Sequence, residues 1–357
     1  MITMNARDRA VVASAVSSWL LFTAAADAQD RPPGAGHTPP AFTFHQIRDD
    51  VYLAVGTGSL AVGANAAVVI NEADLLLVDS HVSPAAASVL LEELKQITDK
   101  PVRYVVNTHF HFDHAHGNQV YASDVEILGH EFTHRMLASG GSVEGRSYRR
   151  FIGSIPERIA SLRAQLDTTT LAADRESLQH RIQIQESYRI ATAAVRPTPP
   201  TVTMDGRLTL YRGDREIRLE FFGRGHTGGD VVVYLPQERV LITGDLLSAG
   251  LPYMGDGYIP DWIETLERLK DLEFDVVLPG HGQAFRERDR IDDLQSYLSD
   301  FWAQVTELWR SGVSAEEAAR RIDMRSHASN YPGIRSVGVD LDAVSGAYEI
   351  LTGSRRE

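Results

Sequence analysis

Residues 108–118 read Thr108-His109-Phe110-His111-Phe112-Asp113-His114-Ala115-His116-Gly117-Asn118, directly after the apolar run Val102–Val106. Four histidines and a carboxylate fall within the eight positions from His109 to His116. Each imidazole needs a hydrogen-bond partner, and an unpaired carboxylate is costly to bury, so such a cluster does not belong in an ordinary apolar core. A bound cation removes that cost.

The flanking pattern gives the cluster a place in a fold. Leu75–Val78 and Val102–Val106 read as buried strands. Between them Ser83 followed by Pro84 is a helix start, with Val89, Leu90, Leu94 and Ile97 at helical spacing in a helix over Ser83–Thr98. The cluster then lies at the C-terminal end of a strand, where open α/β sheets place ligand sites. Val51–Val55 and Ala66–Ile70 read as earlier strands, Val125–Leu128 as a later one and Glu131–Ala138 as a short helix.

Residues 154–196 have a different character. Ser154-Ile155-Pro156-Glu157 has the form of a capping box, Ile155, Ile159, Leu162 and Leu166 share one helical face, and a second amphipathic helix covers about Leu171–Val195. This is an inserted helical hairpin, read either as a lid or dimer surface or as a layer covering the sheet. After Arg196-Pro197-Thr198-Pro199-Pro200 a second strand-rich half begins, with Leu208–Tyr211, Ile217–Phe222, Val231–Leu235 and Val240–Thr243. A helix over Ile259–Leu272 and a strand over Val276–Leu278 follow. Two such halves predict a sheet-on-sheet core with helices outside. Beyond Arg288 the chain reads as helical, with a capping box at Ser314-Ala315-Glu316-Glu317 and no visible chemistry.

At 357 residues and 43% hydrophobic content the chain is globular in composition. Its formal net charge of −13 excludes a phosphate-backbone partner, which calls for clustered Lys and Arg. There is no cysteine, so disulfides and thiolate ligands are excluded and a transition-metal site must use His and carboxylate. Arg7 and Arg9, the apolar run Ala10–Ala25 and Ala26-Asp27-Ala28 have the layout of a secretory signal peptide over residues 1–28, and with it removed no membrane span is expected. Residues 29–40, rich in Pro and Gly, read as an extended linker in which His37 is solvated.

Three further positions repeat the setting of the cluster. His226 in Gly225-His226-Thr227-Gly228-Gly229, Asp245 in Thr243-Gly244-Asp245 and His281 in Pro279-Gly280-His281-Gly282 each follow a strand in a glycine-rich turn. Together with HxHxDH at 109–114 and with Asp79 closing the strand Leu75–Val78, this order resembles the metallo-β-lactamase superfamily. The resemblance covers Phe42–Arg290 and implies a four-layer αββα sandwich over residues 41–290, with the helical insertion at about 154–196 and a C-terminal helical region over 291–357.

The resemblance further implies one zinc ion held by His109, His111 and His226 and a second by Asp113, His114 and His281, with Asp245 between them. Iron or manganese suits similar donors. Two ions roughly 3.5 to 4 Å apart hold a hydroxide that attacks a carbonyl, and Asp113 orients it as the catalytic carboxylate. An aspartate at position 245 resembles glyoxalase II and lactonases, whereas the best-known β-lactamases carry Cys or Ser there.

His116 and Gly117 depart from the commoner HxHxDHxGG, and His116 is expected either to support a ligand or to sit solvated in the turn. His81, His130 and His134 are near enough in the pattern to approach the site but are expected to be structural; His45, His180 and His327 have no supporting context. Gly250–Gly257, with Tyr253 and Met254, is a candidate pocket wall. The expected protein is an exported, periplasmic or secreted dinuclear zinc hydrolase of a small carbonyl substrate, with β-lactam ring opening ranked first. A lactone, ester or thioester hydrolase, an iron-dependent sulfur dioxygenase and a non-catalytic metal-binding module are the alternatives.

Overall fold

In Leu75-Leu76-Leu77-Val78 successive side chains enter different cores. Leu75 and Leu77 pack with helical residues, while Leu76 and Val78 pack with a second sheet. A strand sends alternate side chains to opposite faces, and because both faces here are covered, the run is continuously apolar. The same division appears in the second half, where Val232 and Tyr234 go to a helix-covered core and Val231, Val233 and Leu235 go to the core between the sheets.

The computed structural model describes residues 32–355, and the expected signal peptide over 1–28 lies outside the described residues. The first sheet has seven strands in sequence order: β1 (Phe42–Arg48), β2 (Val51–Gly56), β3 (Ala66–Ile70), β4 (Leu75–Val78), β5 (Val102–Val106), β6 (Glu126–His130) and β7 (Val202–Met204). β1 to β4 pair antiparallel; β4 to β7 pair parallel. The second sheet has the order β12–β11–β10–β9–β8, built from β8 (Arg207–Arg212), β9 (Arg215–Glu220), β10 (Val232–Leu235), β11 (Val240–Gly244) and β12 (Val276–Pro279).

Helix α1 (Pro84–Leu94) starts as expected, Ser83 Oγ accepting from the Ala86 amide at 3.2 Å. It covers the outer face of the first sheet with Val89, Leu90 and Leu94. Next come α2 (Phe112–Ala115), α3 (Glu131–Ala138), α4 (Gly141–Glu144), α5 (Arg146–Gly153), α6 (Ile155–Thr168) and α7 (Ala172–Ala193). The outer face of the second sheet is covered by α8 (Ile259–Leu269), α9 (Arg290–Arg310), α10 (Ala315–Arg321) and α11 (Leu341–Thr352). The result is the expected four-layer αββα sandwich with C-terminal helices.

The structure corrects the sequence reading in several places. β1 and β7 were not expected as strands; both are sheet edges, one half-exposed and polar, the other three residues long, so neither carries a buried apolar run. Ser154 caps nothing: its backbone is helical and its hydroxyl donates back to the Phe151 carbonyl at 2.7 Å, because α5 already runs into it from Arg146. The hairpin α6–α7 packs Ile155, Ile159, Leu162, Leu178 and Ile182 into the core of the first sheet, as a covering layer. His37 is not solvated, because its ring lies 3.3 Å from the buried Glu93 carboxylate, which also accepts from the Ala41 and Phe42 amides.

Candidate metal centre

The parallel pairing of Val78 with Val106 brings the ends of β4 and β5 side by side, and the site grows from that junction. Asp79, in the left-handed region at φ 70°, turns its carboxylate onto the next strand end. One oxygen accepts from the Thr108 amide at 2.8 Å and the other from His114 Nδ1 at 2.7 Å. The Thr108 hydroxyl donates to the same carboxylate at 2.9 Å, so it accepts from His109 Nδ1 at 3.0 Å. These partners set the tautomers: as neutral imidazoles, His109 and His114 both turn a bare Nε2 toward the site. His111 is set the opposite way, donating Nε2–H to Asp256 at 3.0 Å and presenting Nδ1.

The second half supplies the other residues through three turns. Asp230 accepts from the Thr227 amide and hydroxyl at 2.8 and 2.7 Å, shaping the turn that carries His226. The Val231 amide donates to the Thr108 carbonyl at 2.7 Å, joining that turn to the first cluster. Trp262, buried on α8, donates to the Leu246 carbonyl at 2.9 Å and packs its ring near His226. Asn65 donates to the carbonyls of Pro279 and Gly282 at 3.0 and 2.8 Å, strapping the turn that carries His281. At Gly280 any Cβ would stand 2.3 Å from Asp245 Oδ1, so only glycine lets the two turns approach this closely.

All seven residues expected from the resemblance converge. His109 with His111 and His226, His109 with His114 and Asp245, and Asp113 with His114 and His281 form three overlapping groups whose donor atoms lie within 4.8 Å of one another. His111 Nδ1 is 3.1 Å from His109 Nε2 and 3.0 Å from His226 Nε2. Asp245 reaches both sides, with Oδ1 3.6 Å from His114 Nε2 and Oδ2 3.7 Å from His226 Nε2 and 3.3 Å from His281 Nε2. Asp113 Oδ2 is 3.1 Å from His281 Nε2.

The donor set fits metal. Nitrogens about 2.0–2.1 Å from a tetrahedral ion stand about 3.3 Å apart, close to the spacing of the three-histidine group. His114 Nε2, His226 Nδ1 and Asp245 Oδ1 are buried polar atoms without a hydrogen-bond partner, and two of the three face the site. Nitrogen and carboxylate donors without sulfur suit zinc, iron or manganese alike.

Electrostatics divide the cluster. Burial, reinforced by neighbouring imidazoles, pushes His109 well below the ordinary histidine value and His226 down to about 3. Asp245, more strongly than burial opposes it, raises His281 to about 10. His114 feels burial most, yet Asp79, Asp245 and Asp113 together outweigh it and raise it. Burial also opposes ionisation of Asp113 and Asp245, but His114 and His281 hold both below the ordinary carboxylate range.

A cavity of about 750 Å³ opens onto His111, Asp113, Asp245 and His281. Phe112, Phe151, Leu251, Pro252 and Tyr253 give it an apolar wall, while Ser248, Arg150 and Asp340 contribute polar groups. Met254, a candidate for this wall, is buried in the core instead. Asp340 immediately precedes α11, so the C-terminal region does carry site residues, contrary to its sequence reading. Arg150 pairs with Asp340 and Asp342, joining the inserted helices to that region.

Four further histidines near the motif or its flanking strands make structural contacts. His116 is neither solvated nor in contact with a ligand candidate: it is buried, its Nε2 lies 3.1 Å from the Ser142 hydroxyl, and its ring meets Tyr148. His81 bonds the Ala64 carbonyl, His134 the Pro200 carbonyl, and His130 caps α3. Asp256 and Thr108 were missed as site residues. A lone Asp in a glycine-rich loop and a Thr before the motif carry no pattern of their own.

Comparison with known proteins agrees with this geometry. A linear primary-alkylsulfatase of Pseudomonas sp. (strain ATCC 19151) is 24% identical over 270 residues, 72% of this chain and 49% of that protein. The chain therefore spans about half the length of that relative. The probable metallo-hydrolase YqjP of Bacillus subtilis (strain 168) is 24% identical over 240 residues, 60% of this chain and 69% of that protein. Among solved structures, a metallo-beta-lactamase from Pontibacter korlensis superposes with a TM-score of 0.52 at 20% identity, covering 72% of this chain and 99% of that one. The family model described as metallo-beta-lactamase superfamily matches residues 60–281, and with the αββα fold and the convergent cluster it places this chain in that superfamily.

Proposed function

We propose that the protein is an exported dinuclear zinc hydrolase that opens a small carbonyl substrate, with β-lactam ring opening ranked first. One observation carries the two-metal reading: a single carboxylate, Asp245, reaches His226 with one oxygen and His114 with the other, between two groups that each have three donors. His109, His111 and His226 would hold one ion; Asp113, His114 and His281 would hold the other. Bound there, such ions would supply Lewis acidity, lowering the pKa of a water and polarising the substrate carbonyl.

The chain's own residues supply the rest. The substrate enters by the cavity, where Phe112, Phe151 and Tyr253 exclude water from its apolar part. Asp113 lines the same cavity with Oδ2 held beside His281, placed to orient the attacking water. No Ser or Cys nucleophile is required. Residues 1–28 support export, which would put the enzyme where β-lactam drugs act.

A second reading, hydrolysis of a lactone, ester or thioester, is favoured by Asp245, since a carboxylate stands where the best-known β-lactamases carry Cys or Ser. The test is a panel on purified zinc-loaded protein: a chromogenic cephalosporin, an acyl lactone, a thioester and a linear alkyl sulfate, the last because one relative is named for it. Cephalosporin turnover well above the others supports the leading reading; preference for another arm replaces it. Stoichiometric iron with persulfide-dependent oxygen uptake, or no turnover on any arm, would overturn the hydrolase itself.

A further inference from the structure

Of the three imidazoles in the buried group, His111 depends on the most distant support. Its Nε2 donates to Asp256 at 3.0 Å, which leaves Nδ1 to face His109 and His226. Asp256 belongs to a loop, Gly250–Gly257, that has no helix or strand and a single internal turn, the Gly257 amide on the Met254 carbonyl at 3.1 Å. Something must hold the loop.

That support comes from the far end of the chain. Arg355 donates to the carbonyls on both sides of Asp256, with Nη2 2.8 Å from Gly255 O and Nη1 2.5 Å from Gly257 O. Arg146 of α5 adds a longer contact to Gly255 O at 3.4 Å. The Arg355 guanidinium is itself fixed, 3.6 Å from the Glu349 carboxylate and 5.1 Å from the centre of the Tyr258 ring. α11 can lie this close because position 346 is glycine: a Cβ there would stand 2.3 Å from Gly255 O and 2.4 Å from the Arg355 guanidinium. Glycine is a poor helix former, so its presence inside α11 is explained by this approach.

We propose that Arg355 is a positioning residue of the metal centre: by gripping the two carbonyls that bracket Asp256, it holds that carboxylate on His111 and so aims His111 Nδ1 at the metal. The inference rests on the reading of His109, His111 and His226 as one ligand group. It makes the segment that follows α11 a working part of the site, although no residue there coordinates anything.

The test uses the full-length protein with Arg355→Ala, Arg355→Lys, Asp256→Asn, the Arg355→Ala/Asp256→Asn double variant and His111→Ala. Zinc affinity at each of the two sites is measured by competition with a chromophoric chelator, and the ligand field is read from the visible spectrum of the cobalt-loaded protein. Arg355→Ala is expected to weaken the first ion by about 10- to 100-fold, the size typical for losing a partner that orients a metal ligand, and to leave the second ion unchanged. Asp256→Asn should match it, the double variant should be no worse than either, and Arg355→Lys should recover part of the loss.

Wild-type affinity in Arg355→Ala, a double variant that loses the product of both effects, or equal weakening of both ions would overturn the proposal. A variant that melts early by circular dichroism is replaced by Arg355→Lys, whose unchanged cobalt spectrum and first-site affinity would count against it. His111→Ala separates the two levels of inference. If His111→Ala keeps both ions, the ligand reading falls; if it loses one while Arg355→Ala loses none, only the role of Arg355 falls.

Discussion

The two halves of the candidate centre differ in a way that matters for chemistry. His109, His111 and His226 are all buried, all nitrogen donors, and two of them are pushed toward the neutral form. Asp113, His114 and His281 mix a carboxylate with imidazoles that hold their protons, and His281 is 44% exposed. The first group is ready for a cation; the second must release a proton to accept one. Buried nitrogen donors make a structural anchor, whereas a group whose Asp113 and His281 line the cavity makes the place where substrate and water meet.

The largest test of that division is Asp113→Ala, expected to lower hydrolysis by about 10²- to 10⁴-fold while circular dichroism stays unchanged. Unchanged turnover would mean that the cavity-side group is not the working half. Next in size, Asp79→Asn keeps an acceptor for Thr108 but turns an N–H toward His114 Nδ1. It should weaken metal about 10- to 100-fold at the cavity-side group and less at the three-histidine group, in a chelator competition assay.

A smaller effect concerns pH. With His281 raised to about 10, its proton competes with metal at every pH below that value, so affinity at the cavity-side group rises with pH, by up to about tenfold per unit. His226, pushed down to about 3, imposes no such slope on the other group near neutrality. Calorimetry in two buffers of different ionisation heat should detect proton release only for the second ion, and equal release for both would erase the contrast. The smallest effect is expected from Ser142→Ala, which removes the His116 contact outside both groups. It should cost about 0.5–1.5 kcal/mol in denaturant unfolding and leave metal content unchanged.

Much of this was legible in the residues because chemistry and periodicity coincided. The continuous apolar runs of β4 and β10 to β12 announced doubly covered strands, and the seven donors announced themselves by type, three of them also by their glycine-rich turns. What escaped reading was held by geometry instead of pattern. β1 and β7, as edges, bury too little to show a strand signal. Ser154 had the right spacing for a cap, but a helix already ran into it from Arg146. Gly257, next to Asp256, stands 98 positions from Arg355, and nothing local marks residues that meet only through a folded loop.

One consequence of the sheet order concerns how this chain could be rebuilt. β6 and β7 are parallel neighbours, with Leu128 opposite Val202, yet residues 131–201 lie between them. The register is kept by the strand pairing and by the Thr201 amide on the Ile127 carbonyl, not by the length of the excursion. That excursion carries Arg150 and Phe151, which line the cavity, but none of the seven donors. The crossover thus shapes the substrate wall without supplying a donor: substitution at Phe151 would re-tailor that wall, whereas Thr133, whose hydroxyl donates to the Gly229 carbonyl in the turn after His226, has to stay.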